Sequence, residues 1–533
     1  MGIDHTHIES IEAGNNQHLR QGTQRRLTAR HAIFIAWGGT VGTGLFVTTG
    51  KGLSRGGPAF LVGSYVIISL LVYSILTAIV EMATFLPVRG GSMSHYGTQF
   101  VSRSCGFMMS TLYIYSFAIL IPFELVACAI IIDFWRLPVP SAAWITIFGV
   151  SLILLNALPV RWYGDAESVF TGVKICTIFG LLILAIVLLF GGGPGHDRLE
   201  FRYWKHPGAT KTMILDGHVG RLVAAVATFV GSVLPFTFTP EMIVATAGEI
   251  QSPRRNVPKA AGHFTWRVAF VGSVIGISII CPSDAEALTA GSDAGSSPWV
   301  VGIRMAGISG LDNVINAVIL VAAWSTGNAF FYLASRALHT MALEGSAPAI
   351  FKRCTAKGVP IYAVGAISLV LPLALDVLYW LLNLVNTGGY ISWVCCGVTY
   401  LRFRRACEVQ GIPDSQLTQR SWMQPYASYV TIIVFSILCF LNAFTVFFPG
   451  HWSLGDFISG YIGLPVFIGI YAIHCFAHKS EPWVVPINEI NLQISDEELS
   501  DVTLEDETGS GFSTWQRLSN MVRKRAWIMS QRN

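Results

Sequence analysis

Charge is what this sequence has least of. Only 12% of its 533 residues are Asp, Glu, Lys or Arg. A soluble domain carries about 25%, so a water-facing surface cannot be covered. Hydrophobic residues make up 52% of the chain, which excludes disorder as the general state, since disorder needs low hydrophobicity. No long basic tract is present, so nucleic acid is not expected as a ligand. The ten cysteines show no CxxC or Cys/His metal spacing. Cys128, Cys176, Cys395, Cys396, Cys439 and Cys475 lie in apolar runs, where a thiol behaves as a small hydrophobe. Neither a disulfide framework nor a metal site is expected. Residues 1–30 are polar and lack an apolar h-region, so no cleaved signal peptide is expected. No nucleotide loop or nucleophile–base signature occurs, which argues against an enzyme.

What the chain does have is apolar runs of membrane-spanning length. Twelve spans are predicted, at about 31–50, 59–86, 106–134, 142–159, 168–191, 221–247, 264–282, 313–340, 361–383, 386–402, 427–448 and 455–477. Helices are expected, because a backbone in lipid must satisfy its own hydrogen bonds. The Asn386, Gly388, Gly389 cluster predicts an interruption between spans nine and ten. Loop charge sets orientation. With the N-terminus inside, the inner segments hold Arg20, Arg25, Arg26, Arg30, Arg89, Arg103, Arg161, Arg254, Arg255, Lys259, Lys352, Arg353, Lys357 and four arginines at 402–420. The outer segments hold fewer, half of them in the 192–220 loop. Both termini are therefore expected in the cytosol, and the outer loops carry no N-x-[ST] glycosylation acceptor.

The division is a tail over 1–30, a transporter-like domain over 31–477 and a second tail over 478–533. The acidic run 496–507 reads as disordered. Trp515, Leu518, Val522, Ala526 and Met529 recur near helical spacing. A basic amphipathic helix over 513–529 lying on the inner leaflet and a solvated tail both fit. The tails are where cytosolic trafficking machinery is expected to engage, and the bilayer is the other expected partner.

Two spans are poor helices at their middles. Span one reads Trp37-Gly38-Gly39-Thr40-Val41-Gly42-Thr43-Gly44-Leu45-Phe46, and each glycine costs about 1 kcal/mol against Ala in a helix. Span six carries Pro235 and Pro240 around Phe236-Thr237-Phe238-Thr239, then Glu241. Each proline removes a donor and clashes with the preceding turn. These spans begin two successive sets of five, about 31–191 and 221–402. Interruptions at matching places in two halves point to an inverted-repeat transporter. Bared N–H groups favour an anion and bared carbonyls a cation, so a site with both suits a zwitterion. The glycines also fit close helix packing, since Gly38 and Gly42 form a small-xxx-small pair.

Gly38-Gly39-Thr40-Val41-Gly42-Thr43-Gly44-Leu45-Phe46 resembles the first-helix signature of fungal amino-acid permeases, the yeast amino acid transporter family of the amino acid–polyamine–organocation superfamily. Matching stretches follow at Glu81-Met82, Pro87 and Gly90-Gly91-Ser92; at Pro122-Phe123-Glu124-Leu125; at Val160-Arg161-Trp162-Tyr163-Gly164; and at Lys174. Others are Ala247-Gly248-Glu249, 252–260, 325–328, Ser335-Arg336 and Tyr400-Leu401-Arg402-Phe403-Arg404. The resemblance runs from about residue 30 to 478. It implies an all-α polytopic protein with a leucine-transporter-like core of ten spans in a 5+5 inverted repeat plus two peripheral helices. It also implies uptake of amino acids across the plasma membrane, driven by protons, with no other cofactor. Carried over, amides of Thr40, Val41, Gly42, Thr43 and Gly44 would hold the substrate carboxylate. Carbonyls near Ile35 and Ala36, and in span six around Thr239, would hold the amino group. Phe236 or Phe238 would close the outer side. The family pattern Phe-x-Gly-x-Glu in span six is here Phe238-Thr239-Pro240-Glu241, without the glycine.

Ionisable residues inside spans cost about 2.5–3.5 kcal/mol on insertion scales and are functional candidates. Lys174 in span five is the expected proton-coupling group, since a buried amine can bind and release a proton; a lysine snorkelling to the interface is the other reading. Glu124, after Pro122 in span three, either titrates with Lys174 or is a buried hydrogen-bonding group. Glu241 is placed to contact a substrate amino group. An organic cation such as a polyamine, choline or γ-aminobutyrate is the alternative substrate, and a non-transporting amino-acid receptor the alternative class.

Overall fold

The computed structural model describes residues 33–35, 38–39, 41–86, 92–247, 253–262, 268–284, 286–289, 297–372, 378–413, 417 and 419–492. The amphipathic 513–529 segment, the N-terminal tail and Glu249 lie outside them, as do Ala36 and Thr40 of the candidate site. Among the described residues the secondary structure is helical throughout.

Five helical stretches are long and apolar enough to cross a bilayer: Thr43–Phe85, Arg103–Asp133, Val160–Leu189, Gly217–Ala245 and Leu311–Leu343. The pair Leu454–Tyr461 and Gly463–Ala477, bent by 42°, makes a sixth. Shorter apolar helices run over Ser141–Asn156, Val268–Ile280 and Tyr426–Leu441. Their outer faces expose Leu70, Leu154, Val169, Ile183, Ile433 and Phe440, while Glu81, Glu124, Glu167, Lys174, Arg336 and Arg404 are buried. Apolar outside and ionisable inside is the arrangement expected in lipid.

The first of these stretches is bent at Gly57, whose φ of +80° precedes Pro58. A side chain there would meet the Ala209 carbonyl at 2.9 Å. The 192–216 loop pins this turn, Ala59 N donating to Ala209 O and Lys211 N donating to Gly56 O. The outer half of span one thus passes directly into span two.

The predicted interruption at Asn386–Gly389 is absent. One helix, Leu378–Val409, runs through it, and the helix before it, Ile361–Ser368, ends well short of these residues. The glycines serve close approach instead. A Cβ on Gly388 would sit 2.5 Å from Ser116 Oγ, and one on Gly389 2.7 Å from Thr237 Cγ2. The roughly 1 kcal/mol each costs in helix propensity is offset by packing against spans three and six.

A buried ion pair joins the end of span two to the Leu378–Val409 helix. Arg404 Nη1 lies 3.1 Å from Glu81 Oε1, with side chains 8% and 1% exposed. Tyr400 Oη donates to Glu81 Oε2 at 2.8 Å. Removing one partner strands the other charge. Arg404→Ala should destabilise the purified protein by about 3–5 kcal/mol, and thermal unfolding in detergent checks it; a shift no larger than that of an exposed Arg405→Ala change contradicts it.

Candidate functional site

Span one ends its first half with an intact helical bond, Gly39 N donating to Ile35 O at 3.1 Å. The Ile35 carbonyl is thereby engaged within its own helix. The chain then bends at Val41 and Gly42, and Gly42 adopts φ −135°, ψ −155°. A new helix starts at Thr43, with Leu45 N and Phe46 N donating to Gly42 O. Span six breaks in parallel. The Gly217–Gly231 helix gives way to a 3-10 turn over Leu234–Phe236, and helix resumes as Thr239–Ala247. Between them Phe238 takes φ +58°, a left-handed conformation that costs a non-glycine residue about 1–2 kcal/mol. Both breaks expected from the glycines and prolines are present.

The glycines of span one also have neighbours that need them. An added Cβ on Gly38 would meet Glu167 Oε1 at 2.0 Å and Thr171 Oγ1 at 2.4 Å, from the Val160–Leu189 helix. On Gly42 it would meet Thr326 Oγ1 at 2.7 Å, and on Gly44 the Pro235 Cα at 3.2 Å. Unwinding and close packing are therefore both properties of this segment, since the broken backbone is held by two surrounding helices and by the Leu234–Phe236 turn.

Among the described residues of the break, the Gly38 and Val41 carbonyls face side-chain donors. Lys174 Nζ donates to Gly38 O at 2.6 Å and to Thr326 Oγ1 at 3.1 Å. The Thr326 hydroxyl lies 3.1 Å from Gly38 O and 3.2 Å from Val41 O, able to donate to one at a time. Lys174 is fully buried, so the snorkelling alternative does not hold. Its ammonium occupies the carbonyl end of the first break. Glu124 approaches from the Arg103–Asp133 helix and accepts the Thr43 hydroxyl at 3.0 Å. Glu167 accepts from Ser325 at 2.9 Å and from Thr171 at 3.4 Å, while Thr171 also lies 3.0 Å from Phe34 O.

Between the breaks lies a cavity of about 20 Å³, lined by residues including Gly39, Gly42, Gly44, Glu124, Pro235, Thr237, Thr326 and Phe330. That holds about one water molecule, so an amino acid enters only as the walls separate. On the side that loop charge assigns to the exterior, a polar vestibule of about 680 Å³ includes Lys51, Arg55, Ser232, Asn386 and Asp456 in its lining. Leu234 lines both spaces, which makes the span-six break the wall between them.

The candidate aromatics separate. Phe236 packs against Tyr65 and Phe270, centroids 5.4 and 5.7 Å away, on the far side of span six. Phe238 packs against Phe117 at 5.2 Å and Tyr113 at 6.1 Å. Phe117 in turn stacks on the cavity-lining Phe330. Only Phe238 is placed to act with the cavity wall. Thr239, fully buried, opens the resumed helix. Glu241 turns away from the cavity: Ser392 donates to Oε1 at 2.6 Å and Trp393 Nε1 to Oε2 at 3.3 Å. Both oxygens are held by the Leu378–Val409 helix, so Glu241 ties span six to span ten instead of facing a substrate amine.

Sequence reasoning missed Glu167 and Thr326. Glu167 falls one residue before the predicted start of span five, yet it precedes Lys174 by seven residues and so shares its helix face. Thr326 reads as one of several small polar residues suited to helix packing. Its neighbour Asn328 does that, accepting from Asn156 Nδ2 at 2.8 Å.

Two helices broken at mid-length around a buried polar cavity, within a shell of apolar helices, define a membrane transporter and not an enzyme. Residues 31–484 match the amino acid permease family. The chain is 41% identical to a proline-specific permease of Emericella nidulans over 90% of this chain and 89% of that one. It is 38% identical to a proline-specific permease of Saccharomyces cerevisiae over 92% and 81%. The chain belongs to the fungal amino-acid permeases. Its fold is similar to that of a manganese transporter of Eremococcus coleocola, with a TM-score of 0.51, 13% identity, and 89% and 95% of the two chains covered. It is an amino-acid transporter with the leucine-transporter-like fold.

Proposed function

We infer that the protein imports proline together with protons across the plasma membrane by alternating access, its termini in the cytosol. The observation that carries the coupling is the Lys174 ammonium seated on the Gly38 carbonyl at the first break. A protonated Lys174 holds the two halves of span one against the Val160–Leu189 and Leu311–Leu343 helices. A neutral Lys174 has no charge to satisfy there, so the carbonyl end loosens and the cavity can open inward. The Gly42–Gly44 amides at the start of the resumed helix suit the substrate carboxylate. Glu124 is the second proton-binding group, since it reads the same half-helix through Thr43.

The substrate reading rests on the relatives' names and on the wall chemistry. Leu120, Phe123, Pro235 and Phe330 give the cavity apolar sides. A pyrrolidine ring needs only apolar contact, whereas an acidic side chain would find Glu124 and, among the described lining residues, no cation.

The test is radiolabelled proline uptake in a yeast strain without its own proline permeases. Uptake should be saturable, faster as the outer pH falls, and abolished by a proton uncoupler. Unlabelled proline should compete fully, and glutamate, lysine, γ-aminobutyrate and spermidine weakly. Uncoupler-insensitive uptake would overturn the coupling. Stronger competition by γ-aminobutyrate or spermidine than by proline would move the substrate to the organic cations.

A further inference from the structure

We propose that Glu167 is the acceptor that carries the coupling proton from Lys174 toward the cytosolic side. This rests on the proton-coupled reading above and extends it to a residue outside the cavity. Glu167 is fully buried, and nothing in the packing of an apolar bundle requires a carboxylate there. It lies seven residues before Lys174 on the Val160–Leu189 helix, about two turns, toward the end that loop charge places inside. The two side chains converge on one backbone position. Lys174 Nζ bonds the Gly38 carbonyl at 2.6 Å, and Glu167 Oε1 sits 2.0 Å from where a Gly38 Cβ would be.

The groups around Glu167 are few. Ser325 donates to Oε1 at 2.9 Å, and the Thr171 hydroxyl, 3.4 Å from Oε1 and 3.0 Å from Phe34 O, can donate to only one of the two. Oε2 is buried without a hydrogen-bond partner in bonding geometry among the described residues, with the Asn328 amide alongside. Lys174 is the charged side chain acting on it, and Glu124 is the other carboxylate acting on Lys174. Of the two acids, Glu124 lines the substrate cavity and Glu167 is displaced along the Lys174 helix, away from it. In the step proposed, an N–H bond of the Lys174 ammonium breaks and an O–H bond forms on Glu167. The pair passes from ammonium and carboxylate to amine and carboxylic acid. The acid then gives its proton to water at the inner face as the helices part, and the carboxylate is restored.

The experiment uses purified full-length protein in proteoliposomes loaded with a pH-sensitive dye. Two quantities are read: exchange of labelled for unlabelled proline without a pH gradient, and internal acidification on adding proline outside. Glu167→Gln should retain exchange and lose proline-dependent acidification, and Glu167→Asp should recover acidification. Acidification by Glu167→Gln at the wild-type rate would overturn the proposal. So would loss of exchange in Glu167→Gln, which would make the residue structural. If the wild-type protein exchanges proline without acidification, the coupling reading itself fails, and that result is distinct from a failure confined to the Glu167 variants.

Discussion

Lys174→Gln should leave a protein that exchanges proline but cannot concentrate it. Glutamine can still donate a hydrogen bond to Gly38 O and to Thr326, so the neighbourhood of the break keeps its donors. It cannot carry an ionisable proton. One elementary charge moving through 100 mV supplies about 2.3 kcal/mol, an accumulation of about 50-fold at one proton per substrate. The accumulation ratio of the variant should fall to about 1 while exchange of internal for external proline persists. Filter assays on cells for accumulation, and on proteoliposomes for exchange, separate the two. Normal accumulation would remove Lys174 from the coupling mechanism. Loss of both activities would reduce it to a strut.

Gly38→Ala should have an effect of similar size from a single methyl group. Its Cβ would sit 2.0 Å from Glu167 Oε1 and 2.4 Å from Thr171 Oγ1, both already held by hydrogen bonds. Overpacking of this kind costs about 1–3 kcal/mol. The larger cost is functional, because the residue that moves is the one whose carbonyl receives Lys174. Uptake should drop at least about tenfold, since about 1.4 kcal/mol is tenfold in rate. Gly172→Ala on the Val160–Leu189 helix is the matched control, since nothing lies within 4 Å of a Cβ there. It should transport normally. Equal uptake by the two variants, at equal surface expression, would show that the Gly38 approach does not matter.

The two breaks were legible because glycine and proline act locally: four glycines in seven residues and two prolines flanking Phe236–Thr239 disfavour helix in any surroundings. Lys174 and Glu124 were legible because any ionisable group in an apolar run must have a reason. What could not be read was direction. Gly388 and Gly389 carry the same local signal as Gly42, yet helix continues through them, closely packed on Ser116 and Thr237. Glu241 lies beside the second break in sequence but points to Ser392 and Trp393, contacts that only tertiary packing decides. Phe236 and Phe238 are two residues apart, and the left-handed turn at Phe238 sends them to different neighbours. Glu167 was hidden because the apolar run that marks span five starts at Ser168, whereas the helix itself begins at Val160.

The most direct measurement is a cryo-electron microscopy map of the full-length protein with proline bound in lipid nanodiscs. The account predicts proline density between the two breaks, its carboxylate at the Gly42–Gly44 amides and its ring against Phe330 and Leu120, in a cavity wider than about 20 Å³. Density for proline elsewhere, or helix continuing unbroken through Val41–Gly42 and Leu234–Phe238, would contradict it.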